Sequence, residues 1–251
     1  MPYIERDGVK IYYEEMGAGP AVLLSHGYSA TSQMWRGQAG LADRYHLITW
    51  DMRGHGLTDS PDDQVEYSEQ QTADDMAAIL RACGEEQAVI GGLSLGGYMS
   101  LAFNVAYPAM VRALMLFDTG PGYKNPVARE GWNRTSEARA VAFETMGLGA
   151  LGQSAEVLAS TNRSADGLAR AARGMLAQVD SRIIESLPNI DVPTLVLVGA
   201  NDTPFLGGTD YMAAKIPGAK RITIADAGHA SNIDQPAAFN AAVEEFLASL
   251  P

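Results

Sequence analysis

Ser94 lies in Gly92-Leu93-Ser94-Leu95-Gly96-Gly97, after the apolar run Gln87–Gly91 and before Tyr98-Met99-Ser100-Leu101-Ala102-Phe103, which suits a helix. A serine on a sharp strand-to-helix turn sits in strained backbone, and the turn closes only if the residues two away are small, as Gly92 and Gly96 are. A helix starting just past Ser94 directs backbone N–H groups and its positive end at the point where a tetrahedral oxyanion would form. The competing assignment is a glycine-rich turn whose serine only caps the helix. A hydroxyl is a weak nucleophile: it needs an imidazole to take its proton, and the imidazole needs a carboxylate to fix its tautomer. There are four histidines. His46 falls inside an apolar run and reads as packed, and His55, in a glycine-rich loop, reads as a structural hydrogen-bonding group. His26, just before Gly27, reads as shaping a tight turn, with substrate contact as the alternative. His229, between the strand-like Arg221–Ile224 and the last helix, is the candidate base.

These groups need a scaffold. Apolar runs at Ala21–Ser25, Tyr45–Trp50, Gln87–Gly91, Val111–Phe117 and Pro193–Val198 predict strands, and their near-continuous hydrophobicity is that of parallel strands covered on both faces. Helical spacing recurs at Ala73, Met76, Ala77 and Leu80, and at Phe239, Ala242, Val243, Phe246, Leu247 and Leu250, with Pro236 in the first turn. Repeated β-α-β units predict an α/β fold with a doubly wound, mostly parallel sheet and a reactive site beyond the strands' carboxyl ends. Tyr3–Arg6, the turn Asp7-Gly8 and Val9–Glu14 predict an antiparallel hairpin. From about Thr119 to Leu187 the strand rhythm stops, with helical periods around Arg139–Met146 and Leu168–Val179. A structureless connection of that length is improbable, so the expectation is a helical cap at 119–187 inserted in a core of 1–118 and 188–251.

The 251 residues carry a formal net charge of −12 and one cysteine, Cys83. Without a Lys/Arg cluster, nucleic acid and anionic membrane are poor partners. One thiol allows no internal disulfide and no Cys₂ or Cys₄ metal cluster, and Cys83 reads as an inert thiol late in a helix. No apolar run approaches the ~18 residues of a membrane span, and the charged start lacks the apolar core of a signal peptide. The expectation is a cytoplasmic protein with no nucleic-acid or membrane partner, and no pattern specifies an oligomeric state.

Taken in order, the motifs resemble the α/β-hydrolase family over nearly the whole chain. Ser25-His26-Gly27-Tyr28 resembles its His-Gly oxyanion loop, and Asp51-Met52-Arg53-Gly54-His55-Gly56 its Asp-x-Arg-Gly-x-Gly signature. Ser94 matches the nucleophile elbow, Gly199-Ala200-Asn201-Asp202 the acid turn and Gly228-His229-Ala230 the histidine loop. The resemblance implies a triad of Ser94, Asp202 and His229 in the family's chain order. Asp118, ending the run Leu114–Phe117, occupies the rival position for the acid. It also implies an oxyanion hole of the main-chain N–H groups of Tyr28 and Leu95. Asp51 and Arg53 read as braces of their loop, pairing with backbone or with each other.

Members that open epoxides or displace halides use an aspartate nucleophile, so Ser94 argues against that chemistry. His26-Gly27-Tyr28-Ser29-Ala30 departs from the loops of lipases, proline iminopeptidases and carbon–carbon bond hydrolases. What the resemblance implies is a serine carboxylesterase or lactonase, acting through an acyl-enzyme on small, largely apolar esters or lactones, with no cofactor and no metal. Proton-abstracting lyases or synthases, cofactor-free perhydrolases and weakly catalytic receptors share the fold. A keto-acid substrate would predict cap arginines, among Arg134, Arg139, Arg163, Arg170 and Arg173, facing the site. Candidate substrate-binding residues are His26, Trp35, Trp132, Met146 and Leu148, each equally suited to plain packing.

Overall fold

All residues of β3 (Ala21–Ser25), β5 (Ala88–Leu93) and β7 (Thr194–Gly199) are buried, which only coverage on both faces achieves. The computed structural model describes residues 2–251 and places these strands in an eight-stranded sheet. The others are β1 (Tyr3–Arg6), β2 (Val9–Met16), β4 (His46–Trp50), β6 (Val111–Phe117) and β8 (Lys220–Ile224), in the order β1-β2-β4-β3-β5-β6-β7-β8. The hairpin β1–β2 runs antiparallel and joins β4 antiparallel. From β4 to β8 every pairing is parallel, so these strands present their carboxyl ends at one edge.

Side chains alternate across each strand and divide the core in two. Leu23, Ile90, Leu114 and Leu116 face α1 (Glu69–Ala82) and α2 (Leu95–Ala106). Val22, Leu24, Val89 and Met115 face Trp35 and Phe239 on the opposite side. Local signals set the helix ends. Ser68 accepts from the Gln71 N–H and opens α1, as an N-cap serine does. Asn125 caps α3 (Pro126–Met146), whose first residue is proline, and Gly147 at φ 59° ends it.

Between Phe117 and Thr194 the chain is helical without strands: α3, α4 (Ala155–Leu158), α5 (Ala165–Ala171), a π turn at Ala172–Leu176 and α6 (Arg182–Ser186). The helical period expected to reach Val179 stops at Leu176 because α3 captures the following backbone. Trp132 Nε1–H donates to Leu176 O (2.7 Å), Asn133 Nδ2–H to Gln178 O (2.9 Å), and Asn133 Oδ1 accepts from Gln178 N–H (2.8 Å). After β7 come α7 (Thr203–Lys215), α8 (Ser231–Asp234) and α9 (Pro236–Ala248). Among the described residues no helix is long and apolar enough to cross a membrane.

Candidate active site

Ser94 follows β5 at φ 55°, ψ −115°, a conformation that costs a non-glycine residue about 1–3 kcal/mol. Its neighbours explain how the turn closes. A Cβ on Gly92 would lie 2.4 Å from Gly96 C, and one on Gly96 would lie 2.2 Å from Ser25 O. The Ser94 N–H donates to Phe117 O (2.9 Å) and the Thr119 hydroxyl to Ser94 O (2.6 Å), so the end of β6 braces the elbow. Ser94 stands at the N-cap of α2, yet its side chain makes no capping hydrogen bond. A capping role does not account for it.

The turn after β7 carries Asp202, buried, with Oδ2 2.8 Å from His229 Nδ1. A Cβ on Gly199 would sit 2.2 Å from Gly228 O, so glycine lets the acid turn touch the histidine loop. The Phe205 ring stacks on the imidazole at 4.8 Å. Burial acts to lower the His229 pKa, but the Asp202 hydrogen bond and charge outweigh it, with Glu156 and Asp118 adding, and the net shift is upward. Among the described residues no hydrogen bond joins Ser94 to His229, a contact that commonly tightens only around substrate.

Asp118 is fully buried and has other partners: Oδ1 accepts the Gly199 N–H (2.7 Å) and Oδ2 accepts the Ser231 hydroxyl. Burial pushes its carboxyl up to about 7 against those two hydrogen bonds. It ties the acid turn to the histidine loop and does not bond to the imidazole. Leu95 opens α2, so its N–H has no acceptor within the helix. The Tyr28 N–H likewise meets no acceptor among the described residues.

Two cavities meet at Ser94, and Ser94, Trp132, Leu176, Pro204 and Phe205 line both. The smaller, about 260 Å³, runs past Tyr98, Pro121, Tyr123 and Gln178. The larger, about 510 Å³, holds Asp202, His229 and Tyr28 together with Arg139 and Glu156.

Of the five candidate substrate-binding residues, Trp132 alone lines these cavities. His26 is fully buried: Nδ1 lies 2.7 Å from Gly27 O and Nε2 accepts the Met52 N–H (2.9 Å), and burial drives its pKa down to about 4. It shapes the loop and lines neither of these cavities. Trp35 is 2% exposed and packs between Phe117 and Phe239 below the sheet. Met146 and Leu148 end up outside, 60% and 37% exposed, because they sit in the last turn of α3 and just beyond it. None of these four lines either cavity. The Tyr28 hydroxyl donates to Leu168 O (2.8 Å). Asp51 accepts the Ser32 and Leu57 N–H groups, while Arg53 pairs with Asp75 and Glu66 instead of Asp51.

Phe205 and Glu156 were not singled out from sequence. Phe205, three residues past Asp202 in the first turn of α7, had a usable signal in that spacing. Glu156 had none, since its place depends on how the helical segment folds. One of its oxygens accepts from the Ser154 hydroxyl (2.6 Å) and the other has no partner.

Known proteins carry the same architecture. The chain is 28% identical over 267 aligned residues, covering 97% of both proteins, to a Bacillus subtilis (strain 168) protein named "Putative 2-succinyl-6-hydroxy-2,4-cyclohexadiene-1-carboxylate synthase". It is 29% identical to 3-oxoadipate enol-lactonase 1 of Acinetobacter baylyi, covering 92% of this chain and 90% of that one. Among solved structures, a thermophilic esterase from Thermogutta terrifontis (malate bound) superposes with TM-score 0.84 at 28% identity, over 100% of this chain and 99% of that one. The model of the Alpha/beta hydrolase family matches residues 22–242, and the chain belongs to that family.

Proposed function

We propose that the protein is a serine hydrolase cleaving carboxylic esters or lactones of small molecules by acyl transfer. The observation that carries this reading is the Asp202–His229 hydrogen bond in the wall of a cavity that also contains the Ser94 elbow. Ser94 Oγ attacks the carbonyl carbon while His229 Nε2 takes its proton. Asp202 holds Nδ1–H and offsets the imidazolium charge. The Tyr28 and Leu95 N–H groups receive the oxyanion. His229 then passes the proton to the leaving alkoxide, and water activated by the same imidazole releases the acid. The smaller cavity, walled by Tyr98, Pro121, Tyr123 and Trp132, suits an apolar acyl group. The larger, with Arg139 and Glu156, suits the more polar alcohol portion and the incoming water. The enol-lactonase and esterase relatives support the reaction class.

The test is hydrolysis of p-nitrophenyl esters of graded chain length and of a lactone set, by wild type and Ser94→Ala. Turnover that disappears in the variant is expected; equal rates on every substrate overturn the reading. Arg139 gives a second reading some footing, because it is the one arginine on the cavity wall. Arg134, Arg170 and Arg173 are paired with carboxylates elsewhere. A keto-acid held by Arg139, with His229 abstracting a proton, would match the synthase relative. That reading requires Arg139→Gln to abolish keto-acid turnover while leaving ester hydrolysis in place.

A further inference from the structure

The one cysteine and one histidine far from the catalytic rim meet each other. Glu15 stands near the end of β2, His46 is the first residue of β4, and Cys83 is the C-cap of α1. β4 begins at His46 and β5 follows Cys83 by five residues, so the three gather at the amino-end edge of the sheet, opposite Ser94. One donor atom from each residue lies within 4.8 Å of the other two.

His46 is already oriented. Its Nδ1 is 2.6 Å from Glu85 Oε1, and its Nε2 points toward Glu15, 3.1 Å from Oε2. A carboxylate on one ring nitrogen fixes the tautomer that offers the other nitrogen to a metal ion, the usual outer-shell arrangement of histidine ligands. We propose that Glu15, His46 and Cys83 form a binding site for a zinc-class divalent transition-metal ion, with Glu85 orienting His46 and water filling the fourth position.

The chemistry of the donors selects the ion. One thiolate, one imidazole and one carboxylate suit zinc or cobalt and disfavour magnesium or calcium, which want oxygen alone. Bonds of ~2.0–2.3 Å at tetrahedral angles place ligand atoms roughly 3.3–3.8 Å apart, so the observed cluster needs to contract by about 1 Å. The Glu15 side chain is 43% exposed, which leaves room for both the movement and the water. Charge balances: carboxylate and thiolate neutralise the dication, and the thiol proton passes to solvent as the metal–sulfur bond forms. The bound ion would join β2, β4 and the end of α1. Three ligands so widely spaced in the chain make no sequence motif.

The experiment uses full-length protein free of any affinity tag, stripped with a chelator and then titrated with zinc by calorimetry and with cobalt by absorbance. One ion per chain is expected, with a thiolate-to-cobalt charge-transfer band. Cys83→Ser and Glu15→Gln are expected to weaken binding by at least ~100-fold, and Glu85→Gln by ~10–100-fold. His229→Ala is expected to leave binding intact, and Tm is expected to rise with zinc in wild type and in His229→Ala but not in Cys83→Ser. Sub-stoichiometric uptake, a cobalt complex without the thiolate band, or binding that survives Cys83→Ser and Glu15→Gln together overturns the proposal. Binding lost in His229→Ala, which would place the ion at the catalytic histidine, does so equally.

Discussion

The floor and the roof of the cavity are built by different means. The floor is backbone: turns after β3, β5, β6, β7 and β8 pressed together where glycines remove the Cβ, as Gly96 does against Ser25 and Gly199 against Gly228. The fully buried Asp118 carboxylate then ties two of those turns to each other. The roof is side-chain packing. Of the 21 residues of α3 only Ser136, Ala140 and Phe143 are buried. Exposed ion pairs from Arg173 to Glu137 and Glu144 hold α3 to the π turn, and such pairs are individually worth ~1 kcal/mol or less. Longer-range hydrogen bonds join roof to floor, among them Tyr28 Oη–H to Leu168 O, Asn162 Nδ2–H to Ser29 O and Thr31 N–H to Ser160 Oγ. A floor made this way holds reacting atoms in place, and a roof made this way can vary its lining. Substitutions in the floor should therefore act on kcat, and those in the roof on KM.

The strongest way to break that division is at the acid. Asp202→Asn forces the wrong tautomer on His229 and should lower kcat by about 10⁴-fold with KM little changed. Asp118→Asn keeps the shape but weakens the clasp between the two turns. A displacement of about 1 Å costs on the order of 10²-fold, which bounds the expected loss. Kinetics of both variants on one ester settle the order, and a larger loss in Asp118→Asn would move the acid to Asp118. The pH profile sharpens the same point. The proposed reaction needs neutral His229, and its pKa is raised, so the acid limb of kcat/KM should lie above the ordinary histidine value of ~6.5. The raised pKa also means that the ion pair stabilises the fold fully below ~6.5 and is lost as pH rises through the shifted value. In Asp202→Asn the limb should move down, because the largest influence opposing burial is gone and only Glu156 and Asp118 still raise the pKa.

In the roof, Trp132 lines both cavities and donates to Leu176 O. Trp132→Ala should raise KM for long apolar esters about 10–100-fold, the scale of lost pocket contacts, with kcat within a few-fold. A collapse of kcat at unchanged KM would show that the roof also sets the reacting geometry.

The same division explains what could be read from sequence. Floor geometry demands particular residues at fixed offsets, so Gly92, Gly96, Gly199 and Gly228 marked the turns, and the strand runs came within one or two residues of the observed bounds. Asp118 was visible as an acid, but its bonds to Gly199 and Ser231 exist only in three dimensions. The roof left little trace. With so few buried residues in α3, helical periodicity does not reveal which side faces the cavity, and Met146 and Leu148 turned outward. Trp35 failed for another reason. It belongs to a 3₁₀ segment, Ser32–Asp43, that folds back beneath the sheet against Phe239.

Phe205 stands on the boundary and carries the smallest effect. It opens α7 directly after the acid turn, which makes it floor by chain position, yet it lines both cavities as a roof residue would. Its ring stacks on His229 at 4.8 Å, and such pairs are worth about 0.5–1.5 kcal/mol. Phe205→Leu retains most of the volume and all of the apolar character while removing the stack. If the ring serves to hold the imidazole plane, kcat should fall by about 2–10-fold, because ~1.4 kcal/mol is one decade in rate, and KM should stay level across the ester series. Burial would also loosen around His229 and depress its pKa less, so the acid limb should move up slightly. A change in KM that grows with chain length, with kcat and the acid limb unmoved, would instead assign Phe205 to the roof.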